Sequence, residues 1–184
     1  EKAGGKDQCS HMEKGDGSME KNMLLQQLDG GKAADFLEKM YGKDHAKENK
    51  NRYLHVMEGF VQAFKNTDMY LFTSAGRTEI SGNHTDHNHG KVLAGSINLD
   101  CVGAAAKNNS RKVNIISETF HQSFLVDLDD LTPSDNKSGT VDLIKGLLKG
   151  FLEAGYEVGG FNAYVTSSVI SAAGVSSSAS FEML

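Results

Sequence analysis

Apolar positions along this chain follow two different rhythms. Between residues 20 and 65 they recur every three or four positions. From 69 to 128 they come in short runs, and the helical period returns at Thr140. Met23, Leu24 and Leu28, then Phe36, Leu37 and Met40, predict two short helices over 20–41, broken at Gly30-Gly31. Tyr53, Val56, Met57, Phe60, Val61 and Phe64 form one stripe and predict a helix over 47–65. That stripe would be a sizeable apolar patch in water, so the helix is expected to act as a structural prop on the rest of the domain. Met69-Tyr70-Leu71-Phe72-Thr73 is a β-type run expected to end at the turn-prone Gly76. Val92–Ala94, Leu99–Ala106, Val113–Ile116 and Ser123–Leu128 predict further strands, the second rich in small residues that permit close packing. Thr140–Ala154 reads as a helix through Val141, Ile144, Leu148, Phe151 and Leu152, with Gly155 as its stop. Phe161–Val165 alternates as a strand, and the segment at Ser176 opens a last helix. Strands in the middle flanked by helices argue an α+β class, without a solenoid repeat.

Composition narrows the picture. A chain of 184 residues suits one domain, and 39% hydrophobic with 23% charged residues is a globular balance. No apolar run approaches the length of a membrane span. The net charge is −5, all of it arising beyond Lys65, and there is no basic stripe, which argues against nucleic acid as a partner. Cys9 and Cys101 lack metal-type spacing and read as free thiols of a reducing cytosol; no secretory signal is visible, so a cytoplasmic protein with no membrane partner is expected. Residues 1–18 are polar, Gly-rich and without period, and read as a disordered leader. The sequence stops at Phe181-Glu182-Met183-Leu184, shortly after a helix opens, which predicts part of a longer chain.

Two segments carry candidate chemistry. Gly76 to Gly90 packs His84, His87 and His89, the carboxylates Glu79 and Asp86, Arg77 and three glycines into fifteen residues with hardly an apolar side chain. A solvated surface turn would fit. So would a metal site on His84, Asp86, His87 and His89, although His84 and His87 point opposite ways in an extended segment and no cysteine or distant His-rich partner is evident. Such a loop also suits a sugar, whose hydroxyls are donors and acceptors at once and pair well with carboxylate, imidazole and amide groups. Arg77 would add fixed positive charge near an anion. The second segment, Ala172 to Glu182, sets small residues before Ser176-Ser177-Ser178 at a helix start, where free backbone N–H groups and the helix dipole attract phosphate. Neither a Walker loop nor a GxGxxG motif occurs, and taken alone the segment fits a serine-rich turn with an N-cap equally well.

Together the two resemble a known family. Gly76-Arg77 … Gly82-Asn83-His84-Thr85-Asp86-His87-Asn88-His89-Gly90-Lys91-Val92-Leu93 resembles the galactokinase signature, in which Gly-Arg leads through Gly-x-His-Thr-Asp to Asn-x-Gly and a Val-Leu strand. Gly174-Val175-Ser176-Ser177-Ser178-Ala179 resembles the Gly-Leu-Ser-Ser-Ser-Ala phosphate loop of the galactokinase, homoserine kinase, mevalonate kinase and phosphomevalonate kinase (GHMP kinase) superfamily. The order and separation of the segments match as well.

The resemblance implies an α+β fold with a mixed β-sheet backed by helices, like the GHMP kinase N-terminal domain (ribosomal protein S5 domain 2-like). It divides the chain into the leader 1–18, an N-terminal helical extension 19–66, and a truncated kinase N-terminal domain 67–184 with the C-terminal domain absent. It implies transfer of the ATP γ-phosphoryl group to the C1 hydroxyl of galactose with ATP and Mg²⁺ as cofactors, in a full-length protein that is a monomer. Arg77 would lie beside C1 and the transferring phosphoryl group. Asn83, His84 and Asp86 would hold sugar hydroxyls; Gly174, Ser176, Ser177 and Ser178 would wrap the ATP phosphates, with Ser178 near Mg²⁺. Such a division of labour suits phosphoryl transfer, which depends on positioning and charge neutralisation.

Asn83 stands where most members carry a Glu that contacts the sugar, His87 where Tyr is usual, Glu79 where Asn is common, and Ala172 where Gly is usual. A related hexose in place of galactose is therefore one alternative. The family's catalytic Asp lies beyond the second motif, whereas Asp127, Asp129 and Asp130 precede it and read as turn charges; the chain alone is expected to be inactive. A non-catalytic sensor that binds sugar and ATP and acts through a protein partner is the other alternative.

Overall fold

The computed structural model describes residues 19–82, 89–134, 139–169 and 177–184. The helical stripes form α1 (Lys21–Asp29), α2 (Gly31–Tyr41) and α3 (Lys43–Phe64), with the expected break at Gly30. The third helix begins four residues before its expected start, because its first turns, Lys43 to Lys50, are polar and carry no stripe to mark them. Tyr53, Val56, Met57 and Phe60 are buried along its inner face.

Six strands make one mixed sheet in the order β1-β2-β3-β6-β4-β5: β1 (Met19–Glu20), β2 (Asp68–Ser81), β3 (Leu93–Lys107), β4 (Lys112–Ser117), β5 (Gln122–Asp127) and β6 (Phe161–Ser167). Neighbours are antiparallel except β4 and β6, which run parallel. Two expectations are corrected here. Gly76 does not end β2; the pairing with β3 slips between Ala75 and Arg77 and then continues to Ser81. Likewise the strands expected at 92–94 and 99–106 are one strand. The reason is shared: on the N-terminal side of Asp100 only β2 pairs with β3, so Arg77–Ser81 and Leu93–Ser96 form a two-stranded arm with no core face to demand apolar alternation.

Side chains alternate across the sheet, and each face has its own core. On one face Met69, Val102, Ala104 and Ala106 meet Leu24, Leu37, Tyr41, Tyr53, Val56, Met57 and Phe60 of α1–α3. On the other, Cys101, Val113, Ile115, Phe124, Val126, Ala163 and Val165 meet Ile144 and Leu148 of α4 (Thr140–Glu153) and Phe181 of α5 (Ser177–Met183). The fourth helix stops at Gly155, as expected, with φ +86°. Its start is fastened by Asp142, which accepts from the Ser134 N–H at 2.8 Å and hydroxyl at 2.5 Å; those bonds hold its carboxyl below the usual range.

A glycine decides how closely α3 approaches the sheet. A Cβ on Gly59 would overlap the ring of Tyr164 in β6, whereas one on Gly146, inside α4, would meet nothing within 4 Å. Helix propensity alone favours alanine at both by about 1 kcal/mol. Gly146→Ala should therefore raise stability by about 0.5–1 kcal/mol, while Gly59→Ala should lower it by about 1–3 kcal/mol through overpacking. Urea midpoints of the two variants check the opposite signs.

Candidate functional site

One carboxylate organises the region between the helices and the two motif segments. Asp100 shares the helix-side face with Val102, Ala104 and Ala106, yet it is charged and only 1% exposed. Its Oδ2 accepts from the Tyr41 hydroxyl at 2.5 Å and from the Thr73 hydroxyl, and its Oδ1 receives the Arg52 guanidinium. The Tyr41 and Tyr53 hydroxyls are 3.1 Å apart, and the Arg52 guanidinium lies 5.7 Å from the Tyr41 ring centre. Burial, then the bond to Asp100, pushes the Tyr41 phenol well above its ordinary value and keeps it a donor. Cys101 points to the other face; burial and the neighbouring Asp100 charge push its thiol up to about 12, so it is a packed thiol and no nucleophile near neutrality.

The backbone of Asp100 reaches the exit of β6. Its N–H donates to the Ser168 hydroxyl at 3.0 Å, and its carbonyl accepts from the Ser168 N–H at 2.9 Å and hydroxyl at 3.1 Å. One residue therefore joins α2, α3, β2 and the start of the segment that runs toward the serine motif.

Arg77 lies on the arm, just past the slip in register. Its Nη2 donates to Glu79 Oε1 at 3.0 Å. Across the arm stand Ser96, Gly95 and Ala94, opposite Arg77, Thr78 and Glu79. The positions named for the sugar, Asn83, His84 and Asp86, lie outside the described residues, as does His87. Gly174 and Ser176 lie outside them too. Ser177 and Ser178 open α5. Among the described residues no group of three or more His, Cys, Asp or Glu is placed to hold a metal ion, and no helix is long and apolar enough to cross a membrane.

The second segment reaches β2 through a contact that sequence reading missed. Ser180 of α5 is 2% exposed, and its hydroxyl donates to the Ser74 carbonyl of β2 at 2.7 Å. Ser74 is three residues before Arg77, so α5 docks on the strand that leads into the arm although 106 residues separate the bonded pair. Asp100 and Ser168 were missed as well; the available signal was a lone carboxylate inside the otherwise apolar 99–106 run. Asp127, Asp129 and Asp130 behave as turn charges: Asp127 accepts from the Asp129 N–H at 3.0 Å, Asp129 pairs with Arg111 at 2.5 Å, and Asp130 accepts from the Thr132 N–H at 3.2 Å.

The chain is similar to known proteins. The galactokinase galactose-binding signature matches residues 58–107, from the end of α3 through β3. The chain is 35% identical over 143 residues to the galactokinase of Lactococcus lactis subsp. cremoris, covering 74% of this chain and 35% of that protein. It is 31% identical over 125 residues to the galactokinase of Clostridium tetani, covering 68% and 32%. Among solved structures, Lactococcus lactis galactokinase complexed with galactose superposes with a TM-score of 0.63 at 33% identity, over 71% of this chain and 34% of that one. Methanococcus jannaschii mevalonate kinase shares the fold at 15% identity, with a TM-score of 0.51 over 62% and 37%. The mixed sheet with helices on both faces is thus the GHMP kinase fold. Within it, this chain is related to the galactokinases and spans about a third of the length of the relatives it matches.

Removing only the carboxylate strands its partners. Asp100→Leu should cost about 3–5 kcal/mol, because Arg52, Tyr41 and Thr73 lose their acceptor in the interior. The double variant Asp100→Leu with Arg52→Met should lose clearly less than the single one, since no charge is then left unpaired. Urea denaturation of both variants decides it. In the native protein Cys101 should resist iodoacetamide at pH 8 and react once unfolded, as read by peptide mass mapping.

Proposed function

We propose that this chain provides the sugar-recognising and phosphate-facing part of a galactokinase-type kinase, which moves the γ-phosphoryl group of ATP to the C1 hydroxyl of galactose. The observation that carries the reading is the Ser180–Ser74 bond, which docks α5, the helix that Ser177 and Ser178 open, on the strand that carries Arg77. Phosphoryl transfer needs this juxtaposition: a phosphate cradle and a fixed cation within reach of one hydroxyl. The relative crystallised with galactose supports the sugar assignment.

In this reading Asn83, His84 and Asp86 hold galactose hydroxyls, and Arg77 faces C1 and the phosphoryl group. Gly174, Ser176, Ser177 and Ser178 cradle the ATP phosphates through backbone N–H groups and hydroxyls. A serine hydroxyl at position 178 is a hard oxygen donor of the kind Mg²⁺ accepts. When bound, Mg-ATP supplies the phosphoryl group and the metal offsets its charge. The C1 oxygen forms the new bond to phosphorus as the bond to ADP breaks, and the hydroxyl proton must pass to a base. Asp127, Asp129 and Asp130 are engaged in the turn after β5 and do not take that role, so we expect no turnover from this chain by itself.

Calorimetry with galactose and a coupled assay for ADP release with Mg-ATP test the reading. Galactose should bind, Asp86→Ala should weaken it by about tenfold, the loss of one or two charge-assisted hydrogen bonds, and ADP release should stay at background. Galactose-dependent ADP release would place a base within 1–184 and overturn the expected inactivity. Failure to bind galactose would overturn the assignment itself. Galactose binding without turnover in a longer form of the protein would point to a sensor.

A further inference from the structure

Arg77 is paired inside its own strand with a carboxylate. Residues 77 and 79 are two positions apart, so both side chains leave β2 on the same side, and Nη2 meets Oε1 at 3.0 Å. The two side chains are unequally exposed, 44% for Arg77 and 18% for Glu79, so the carboxylate is the more enclosed partner and the guanidinium the more accessible one. Nothing bulky stands opposite them on the facing strand, where Ser96 is the partner of Arg77 and Ala94 that of Glu79. The ion pair uses one N–H of a guanidinium that has five, arranged as a fork that accepts two oxygens of a phosphate side by side.

We propose that Glu79 is an internal counter-ion that limits how tightly an anion is held at Arg77. An approaching phosphoryl group must displace the Glu79 carboxylate or share the guanidinium with it. In the first case it gives up part of its gain to break an existing pair; in the second it sits beside a like charge. A neutral sugar meets neither cost. Glu79 therefore acts on the difference between a neutral sugar and its phosphate, weakening the hold on the phosphorylated form without touching recognition of hydroxyls. This rests on the reading of Arg77 as the residue that faces the phosphoryl group.

The test is calorimetry on the 184-residue chain with two probes, galactose and galactose 1-phosphate, at fixed ionic strength. Glu79→Gln should bind galactose 1-phosphate roughly three- to tenfold more tightly than the parent chain, somewhat beyond the effect of a fully exposed ion pair because Glu79 is largely enclosed. Its galactose affinity should stay within about twofold of the parent's, since no hydroxyl contact is altered. Glu79→Asp, which keeps the charge, should match the parent, and Glu79→Ala should reproduce the gain of Glu79→Gln, with circular dichroism and urea midpoints showing that each is folded. Adding Arg77→Ala to the parent and to Glu79→Gln should erase the difference between them. An unchanged or weaker affinity of Glu79→Gln for galactose 1-phosphate, with galactose still bound, overturns the proposal and makes Glu79 a support that holds Arg77 in place. If the parent chain binds neither probe, the sugar-kinase reading fails first and the proposal falls with it.

Discussion

A buried carboxylate in a sheet is a constraint before it is an interaction. Ionised Asp100 could not remain in the interior without donors, because desolvating a charge costs several kcal/mol that one good ion pair barely offsets. Its environment supplies Arg52, Tyr41 and Thr73, from three different elements, and each must arrive in the correct place at once. The helices α2 and α3 are thereby fixed in rotation and height against β2 and β3, beyond what their apolar stripe alone demands. The same residue's backbone holds Ser168 as β6 ends. The set is not free of cost: Arg52 Nε is buried without a hydrogen-bond partner among the described atoms. A network that tolerates one unpaired donor to keep its other contacts is better understood as fixing one arrangement than as adding net stability.

What the sequence reveals of this structure follows from what each element must bury. The stripe from Tyr53 to Phe64 was legible because one face of α3 covers a sheet and the other meets water, so burial writes its period into the residues. Strands β4 and β5 and helix α4 were legible for the same reason. The arm was not. Arg77–Ser81 and Leu93–Ser96 are held by backbone pairing between two strands, which any residue can provide, so a polar stretch passed for a loop. The first turns of α3 were missed on the same principle, since a helix without a buried face leaves no stripe.

The site divides in the same way. Its residue types were readable as chemistry, because a dense run of His, Asp, Asn and Arg has no use in a core, and their likeness to a family motif is a matter of order and spacing. The docking of α5 on β2 was not readable. The Ser180–Ser74 contact pairs a side-chain hydroxyl with a main-chain carbonyl, and a carbonyl has no sequence signature at all. The lone Asp100 in an apolar run was the visible trace of the hub, but its partners, a tyrosine, a threonine and an arginine, look ordinary where they stand.

The energetics of solvation agree with the proposed placement of the chemistry at the arm. A hollow of about 580 Å³ lies on the opposite side of the sheet from α3, between α4, α5 and the strands, and is walled by Phe72, Ile115, Leu148, Phe151, Phe181 and Leu184, with Lys107 and Glu182 also in its lining. A lining so largely apolar offers a phosphate or a ring of hydroxyls few groups to bond, and moving either out of water without compensating bonds costs several kcal/mol. The arm has the reverse character: little enclosure, but a fixed cation, a carboxylate and small residues across from them. A sheet that sends one hairpin beyond its core obtains backbone rigidity without having to dedicate either face to packing, and the side chains on that hairpin remain available to a polar ligand. Asp100 stands where the core ends and the arm begins. Its buried charge holds the rigid part to the helices so that the polar part, starting at Arg77, can project from a fixed base.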